Sequence, residues 1–377
     1  MNIAFYITGH GLGHISRQTL VIREILKIRP VSKIFIRSKA HSWYIKGELG
    51  DKVHHTPVAC DTGVRQIDSL QLLKYESLKD FHTFYKNRTI FYKQELSFIR
   101  KNKISLIVTD FSHFAMELAG KAGIPCIGIT NFTWDYIYEQ YTAEYPEFAW
   151  IPGKIREMHK SCTEVFRLPF NHVFKGFKKI ADIPMIAHFS AKKKKAIKAE
   201  LCVPRNKKCV LISFGGFSIQ DFSSDWIRKQ NSYFFMANET SNLSIPGLIN
   251  FNFEFIKKSG LEYCDLVKAA DVVVTKPGYG IISECLANKT GIIYTSRGPF
   301  REYSRLVKHI KKYLHGVYIT PGKVKTGDLE EALHTYFKSK HRIITLPSHG
   351  AKYAAQKILA MDYTIQKDFA ARKGCPV

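Results

Sequence analysis

The chain has 377 residues, which by the usual size range of domains is two domains, not one. Hydrophobic residues make up 45% and charged residues 24%, a balance that excludes a disordered or low-complexity protein. Lys and Arg number 57 against 32 Asp and Glu, and the resulting +25 favours a polyanionic partner, although a lysine-rich composition alone gives the same sum. No apolar run approaches the roughly 18 residues needed to cross a bilayer, so no membrane-spanning helix is expected. The first residues have no basic stretch followed by an apolar one, so no secretory signal is expected and the cytoplasm is the expected location. Eight cysteines are scattered without any C-x-x-C pair, the pattern of buried thiols in a reducing compartment, with no zinc site.

In chain order, residues 2–7 read as a buried strand, followed by a glycine-rich turn and a helix through Ile28. Residues 33–37 and 104–109 read as further strands, the latter ended by Asp110; a helix over 114–122 and a strand over 126–130 follow. Strand-helix repetition with short turns predicts a parallel sheet covered on both faces. From 172 to 208 there are eleven Lys or Arg and two acidic residues, a stretch that reads as a basic interdomain linker. A second series begins at Cys209–Phe214. It continues with a helix over 261–270, a strand over 271–275, a turn at 276–280, a helix from Ile281 and a strand over 291–295. Residues 350–361 form an amphipathic helix pattern. Two such open domains in tandem predict a cleft at the carboxyl ends of their strands, where ligands of these folds bind.

Three motifs stand at strand ends. The first is Gly9-His10-Gly11-Leu12-Gly13-His14, a turn that opens a helix. Its G-x-G-x-G spacing is not the dinucleotide fingerprint, and Arg37-Ser38 stands where a dehydrogenase carries an acid. Two histidines there suit general base work near neutrality, or else cap the helix. The second motif is Asp110-Phe111-Ser112-His113, in which the carboxylate either orients an imidazole or caps the following helix. Asn131 to Asp135, past the next strand, offers polar groups and an aromatic side chain, Trp134, that suits either an acceptor pocket or the core. The third and most specific motif is the strand-turn-helix from Ala270 to Glu284. Its Pro277-Gly278-Tyr279-Gly280 turn can bind a diphosphate through backbone N–H groups, Lys276 adds charge, and Glu284 can accept ribose hydroxyls. Ser213 to Gly216 forms a similar loop.

At these residues the chain resembles the GT-B glycosyltransferases, α/β proteins of two Rossmann-like domains with parallel sheets facing a central cleft. More closely it resembles the glycosyltransferase-like N-terminal region of L-arabinokinase and its stand-alone bacterial relatives. The matching pieces are Gly9 to His14 with Arg17, Asn131 to Tyr138, Lys276 to Glu284, Phe300 and Glu302, and Gly350 to Ala355. The kinase domain of that enzyme has no counterpart here, so kinase activity is not carried over. A more distant similarity extends to the lipid II-forming N-acetylglucosaminyltransferase, through His14, Ser283 and Glu284.

The resemblance implies an acceptor-binding domain over 1–170, the basic linker over 171–207, a nucleotide-sugar-binding domain over 208–348, and a C-terminal helix and tail over 349–377. It implies a hexosyl- or N-acetylhexosaminyltransferase whose co-substrate is a nucleotide-diphosphate sugar and which needs no metal or other cofactor. Many retaining members carry two glutamates separated by seven residues; Lys276 stands at the first place here and Glu284 at the second, which favours the inverting branch. His14 is then the base, Asp110 its orienter and His10 the reserve. Gly215, Gly216, Gly278, Tyr279 and Gly280 cradle phosphate, and Ser283 and Glu284 hold the nucleotide. Glu302 touches the sugar or the base.

The acceptor is a saccharide or a lipid-linked hydroxyl. The alternatives are a nucleotide-sugar-binding module without catalysis and a transferase acting on tRNA. The basic segment Lys175–Lys208 suggests an anionic membrane surface or nucleic acid as a further partner, the former placing the protein at the inner face of the membrane. The aromatic helix from Phe81 to Lys103 fits either nucleic acid or a core-facing stripe.

Overall fold

A computed structural model describes residues 1–67, 72–215, 225–238, 247–296, 298–340 and 342–372, with side chains described as far as Met361. The described residues of Met1–Arg65, Leu73–Ile186 and Pro347–Val377 form one compact unit, and those of Gln66–Leu72 and Ala187–Leu346 another.

The first unit is built on a seven-stranded sheet. Its strands are β1 (Asn2–Ile7), β2 (Lys33–Arg37), β3 (His54–Thr56), β6 (Leu106–Asp110), β7 (Cys126–Thr130), β8 (Glu164–Arg167) and β9 (Ile180–Asp182). Two short strands, β4 (Arg65–Gln66) and β5 (Leu72–Leu73), pair separately. The sheet order is β3-β2-β1-β6-β7-β8-β9, and every pairing is parallel. Parallel strands are covered on both faces, which is why β1, β6 and β7 read as continuous apolar runs without alternation. The predicted third strand starts two residues later than expected and takes in Asp110, whose register partner is Ile7.

Helices α1 (Leu12–Ile28), α2 (Ser42–Leu49), α3 (Lys74–Lys101), α4 (His113–Ala122), α5 (Trp134–Thr142) and α6 (Ile151–His159) complete the unit with the late α15 (Gly350–Arg372). Gly11, at φ 71°, makes the left-handed step that turns β1 into α1. The long α3 settles the question of its aromatic side chains. Phe81, Phe91 and Tyr92 are buried, and Phe84 packs on Phe114 with ring centroids 4.5 Å apart. These rings face the core, as a stripe at helical spacing does.

Arg37, where a dehydrogenase carries an acid, is buried against α3. Its Nε donates to Glu95 Oε2 at 2.9 Å, and Tyr6 Oη donates to the same oxygen at 2.7 Å. The tail helix α15 packs along α1 and extends eleven residues beyond the expected end at 361.

The second unit repeats the winding with six strands: β10 (Lys208–Ile212), β11 (Tyr233–Asn238), β12 (Leu248–Phe251), β13 (Val272–Thr275), β14 (Gly291–Tyr294) and β15 (Gly316–Tyr318). Their order is β12-β11-β10-β13-β14-β15, again parallel throughout. The helices are α7 (Lys194–Glu200), α8 (Asp225–Arg228), α9 (Phe253–Ser259), α10 (Tyr263–Ala269), α11 (Tyr279–Asn288), α12 (Tyr303–Tyr313), α13 (Pro321–Thr326) and α14 (Glu330–Lys338).

The basic stretch over 171–207 has structure of its own, with β9 in the first unit and α7 packed on α10 in the second. Many of its charges are matched locally. Lys192 meets Glu200 at 2.9 Å, and Lys194 and Lys198 both meet Asp271 at 2.8 Å; Lys193 and Lys195 are exposed.

His113, the first residue of α4, is fully buried between Phe81 and Phe114, and neither ring nitrogen has a hydrogen-bond partner. Burial, followed by the neighbouring His159, pushes its pKa well down. The folded protein therefore keeps this ring neutral while the unfolded chain takes up a proton, so stability falls as the pH drops through the ordinary histidine value near 6.5. Urea midpoints of the wild type are expected to decline more steeply between about pH 7 and about pH 5 than those of His113→Met.

Candidate active site

Both sheets place their first strand centrally and reverse order beside it, between β1 and β6 in the first unit and between β10 and β13 in the second. Loops leaving the carboxyl ends of such strand pairs diverge, which opens a crevice where ligands of doubly wound sheets bind. The three motifs lie at these two places.

In the first unit the centre is Asp110, the last residue of β6, with no exposed surface. It does not cap α4; the cap is Ser112, whose Oγ accepts from the Ala115 N–H at 3.1 Å. The Asp110 carboxylate is held by three side chains of α1. Arg17 donates to it through both Nε and Nη2, the latter at 2.5 Å from Oδ1. Gln18 Nε2 donates to Oδ2 at 2.9 Å, and His14 Nδ1 lies 2.8 Å from Oδ1. Arg17 Nη2 is also 3.0 Å from His14 Nδ1, while its Nη1 donates to Asn131 Oδ1 at 2.8 Å.

Residues 14, 17 and 18 share one face of α1 because they are three and four apart, and that face points at the end of β6. Burial pushes the Asp110 carboxyl up, but Arg17 and then His14 outweigh it and hold it at about 2. His14 does not cap α1; the cap position is Gly11, without a side-chain bond. His10 lies beside the same site, its ring 6.0 Å from that of Trp134.

The polar groups expected to form an acceptor pocket are largely committed to the framework. Asn131 serves Arg17, and Asp135 accepts from Arg156 Nε at 2.8 Å. Trp134 is fully buried, so it is a core side chain and not a stacking platform.

A residue absent from the sequence reading joins the site. Asp61, in the coil after β3, accepts from Thr8 Oγ1 at 2.8 Å at the end of β1. Burial is the main cause that pushes its carboxyl up to about 7, and the charge of Asp110 adds to it; Thr8 and Trp134 act the other way.

In the second unit, Gly278 stands at the cap position of α11, just beyond β13, and Gly280 in its first turn. Ser213 and Gly215 follow β10. Gly216 lies outside the described residues. Tyr279 and Ser283 are buried, and Ser283 Oγ donates to the Gly280 carbonyl at 2.8 Å. Glu284 is buried, only 6% exposed. Beside it, Tyr263 donates to Ser213 Oγ at 2.7 Å, and burial followed by the Glu284 charge pushes its phenol well up. Lys276 sits between β13 and the glycine turn, and Glu302 is buried just ahead of α12.

The glycines of this turn are not required by the fold. Gly278 is extended, at φ −151° and ψ 153°, and a Cβ added at 278 or 280 would meet nothing within 4 Å. An alanine fits both places, so the missing side chains leave backbone N–H groups open to a ligand at the start of a ten-residue helix.

Comparisons with known proteins bear on the fold. The chain is similar to L-arabinokinase of Arabidopsis thaliana, 28% identical over 324 residues, which is 83% of this chain and 30% of that protein. It thus spans less than a third of the length of this curated relative. No protein-family model matches it. Among solved structures, the glycosyltransferase of kitacinnamycin superposes with a TM-score of 0.62 at 13% identity, covering 90% of this chain and 91% of that one. UGT2 of Phytolacca americana, complexed with UDP-2-fluoro-glucose and pterostilbene, superposes with a TM-score of 0.57 at 10% identity, covering 95% and 94%.

The chain has the GT-B fold. Within this GT-B frame the sequence signals for Arg17 and Gln18 were available, since both lie one helical turn from His14. Asp61 and Tyr263 gave no such signal, being brought in only by how the chain folds back.

The Arg17–Asp110 pair is buried on both sides. Arg17→Met should cost on the order of 3–5 kcal/mol by leaving a buried carboxylate uncompensated. Adding Asp110→Asn to that variant should recover part of the loss in a double-mutant cycle read by urea denaturation. Additive losses would show that the two residues do not act as a pair.

Proposed function

We propose that the protein is a glycosyltransferase that moves a sugar from a nucleotide-diphosphate sugar to a hydroxyl acceptor. The observation that carries this reading is the turn from Lys276 to Gly280, open at two glycines that the fold does not require, on a GT-B framework. A diphosphate is the ligand whose charge suits backbone N–H groups at a helix start beside a lysine. UGT2, on the same fold, is complexed with a UDP-sugar analogue.

Transfer proceeds with inversion and without a metal in this reading. A base takes the acceptor proton as the acceptor oxygen attacks the anomeric carbon, and the bond to the diphosphate breaks with its electron pair on the phosphate. The start of α11 and Lys276 stabilise that leaving charge. His14 is the base. Its Nδ1 is held at Asp110, so Nε2 is the atom that takes the proton. Asp110, held ionised, fixes the ring and favours its protonated form. His10 is the reserve. Glu284 and Ser283 hold the nucleoside, and Glu302 the sugar or the base. A saccharide or lipid-linked hydroxyl is the acceptor class. Exposed Lys178, Lys193, Lys195 and Arg205 are the side chains of the basic stretch offered to an anionic surface.

The donor half is tested by Gly278→Ala. Its melting temperature should match the wild type, while calorimetry over a panel of nucleotide sugars should show affinity lower by at least about tenfold. Glu284→Ala should weaken the same binding by roughly 1.5–3 kcal/mol. Unchanged affinity in both variants would remove this turn from the donor site.

For the base, His14→Ala should lower turnover, or slow donor hydrolysis in the absence of acceptor, by about 10²–10⁴-fold with donor affinity unchanged. Donor binding with no turnover in the wild type would instead mark a binding module. An inactive His10→Ala beside an active His14→Ala would move the base to His10.

A further inference from the structure

Four of the eleven residues of α12 are Lys or Arg and none is acidic. Arg305, Lys308 and Lys312 lie three and four apart and so share one side of the helix, with Lys311 beside them, and all four are exposed. The opposite side carries Leu306 and Ile310, both fully buried. The helix is thus anchored by its apolar side and presents a cationic ridge about 16 Å long. Lys308, Lys311 and Lys312 have no acidic partner among the described residues; Lys312 lies over the Tyr313 ring at 5.0 Å. In the basic stretch over 171–207, by contrast, Lys192, Lys194 and Lys198 are matched by Glu200 and Asp271.

Such a ridge works against its own helix. Arg305 with Lys308, and Lys308 with both Lys311 and Lys312, are like charges at helical spacing and repel one another. The helix dipole favours cations in the last turn, where Lys311 and Lys312 stand, but not in the first, where Arg305 stands. His309 registers the field of the ridge: burial pushes its imidazole down, and Lys312, Lys308 and Arg305 push it further the same way. An external polyanion relieves that repulsion.

The two ends of the ridge favour one polyanion. Burial, then Tyr294 and Tyr318, push the Tyr303 phenol up to about 12, which places Tyr318 beside the first turn of α12. The Tyr318 side chain is 48% exposed. Beside the last turn, the Ile344 N–H donates to the Tyr313 carbonyl at 2.9 Å, and the Ile344 side chain is exposed as well. The phosphate backbone of a nucleic acid gives an exposed isoleucine nothing apolar to pack on. The boundary of a bilayer takes both an apolar side chain and a tyrosine ring with a wet hydroxyl, beside a layer of anionic headgroups. We infer that α12, with Tyr318 and Ile344 at its ends, is a docking surface for an anionic phospholipid membrane. The inference goes beyond the transferase reading and does not depend on it, and it puts the contact on α12 instead of the basic stretch.

The test is co-sedimentation of the full chain with vesicles of phosphatidylcholine alone and of phosphatidylcholine with about 40% phosphatidylglycerol. The wild type should sediment with the anionic vesicles and not with the neutral ones, and should be released as salt rises from about 0.05 to about 0.5 M. Lys308→Gln, Lys311→Gln and Lys312→Gln together should weaken partitioning by about 100-fold. That variant should melt at or above the wild-type temperature, because it relieves like-charge repulsion. Lys178→Gln, Lys193→Gln and Lys195→Gln together remove the same charge from the basic stretch and should cost less than about tenfold. Should the α12 variant fail to fold, its three substitutions taken singly, each expected to cost about fivefold, decide in its place.

A wild type that stays in solution beside anionic vesicles, or that sediments equally with neutral ones, overturns the inference. So does an α12 variant that binds like the wild type, or a loss in the basic-stretch variant as large as in the α12 variant. Tighter binding to an RNA duplex of about 20 base pairs than to anionic vesicles at equal phosphate also overturns it, and makes nucleic acid the partner of the ridge.

Discussion

A carboxylate with no access to water must find its compensating charge inside the protein, and Asp110 finds it on α1. The consequence is geometric. Arg17, Gln18 and His14 can meet Asp110 together only if the first turns of α1 sit over the end of β6, which fixes the glycine-rich turn between β1 and α1. Arg17 carries the constraint to the next strand through Asn131, and the Thr8 N–H donates to the Asp110 carbonyl at 2.7 Å. One buried charge therefore sets the positions of three strand ends and of His14.

The same unit places a second carboxyl under opposite conditions. Asp110 has a guanidinium, an imidazole and an amide; Asp61 has only the neutral Thr8 hydroxyl and Trp134 indole. Burial acts on both, and the countercharge decides the outcome, with Asp110 held at about 2 and Asp61 raised to about 7.

The second unit builds its switch point by another route. Its winding repeats that of the first, but the groups offered at the switch point are backbone N–H groups at the start of α11, left open by glycines. Side-chain charge organises one edge and main-chain dipoles the other. The net charge of +25 enters this picture weakly, because the lysines of the basic stretch are in part spent on Glu200 and Asp271.

The sequence by itself determined the winding, the two strand-end turns and the chemical type of their residues. Apolar runs of four to six residues broken by glycine turns leave little choice for the backbone, and β1, β2 and β7 fall where the pattern puts them. Only the tertiary structure decided which polar groups remain available. His14 and Asp110 meet across 96 positions of sequence, Asn131 is consumed by Arg17, and Asp61 arrives from a coil without any periodic signal. Periodicity records which face of an element is buried. It does not record which buried polar atom finds a partner, because that depends on contacts between elements far apart in the chain.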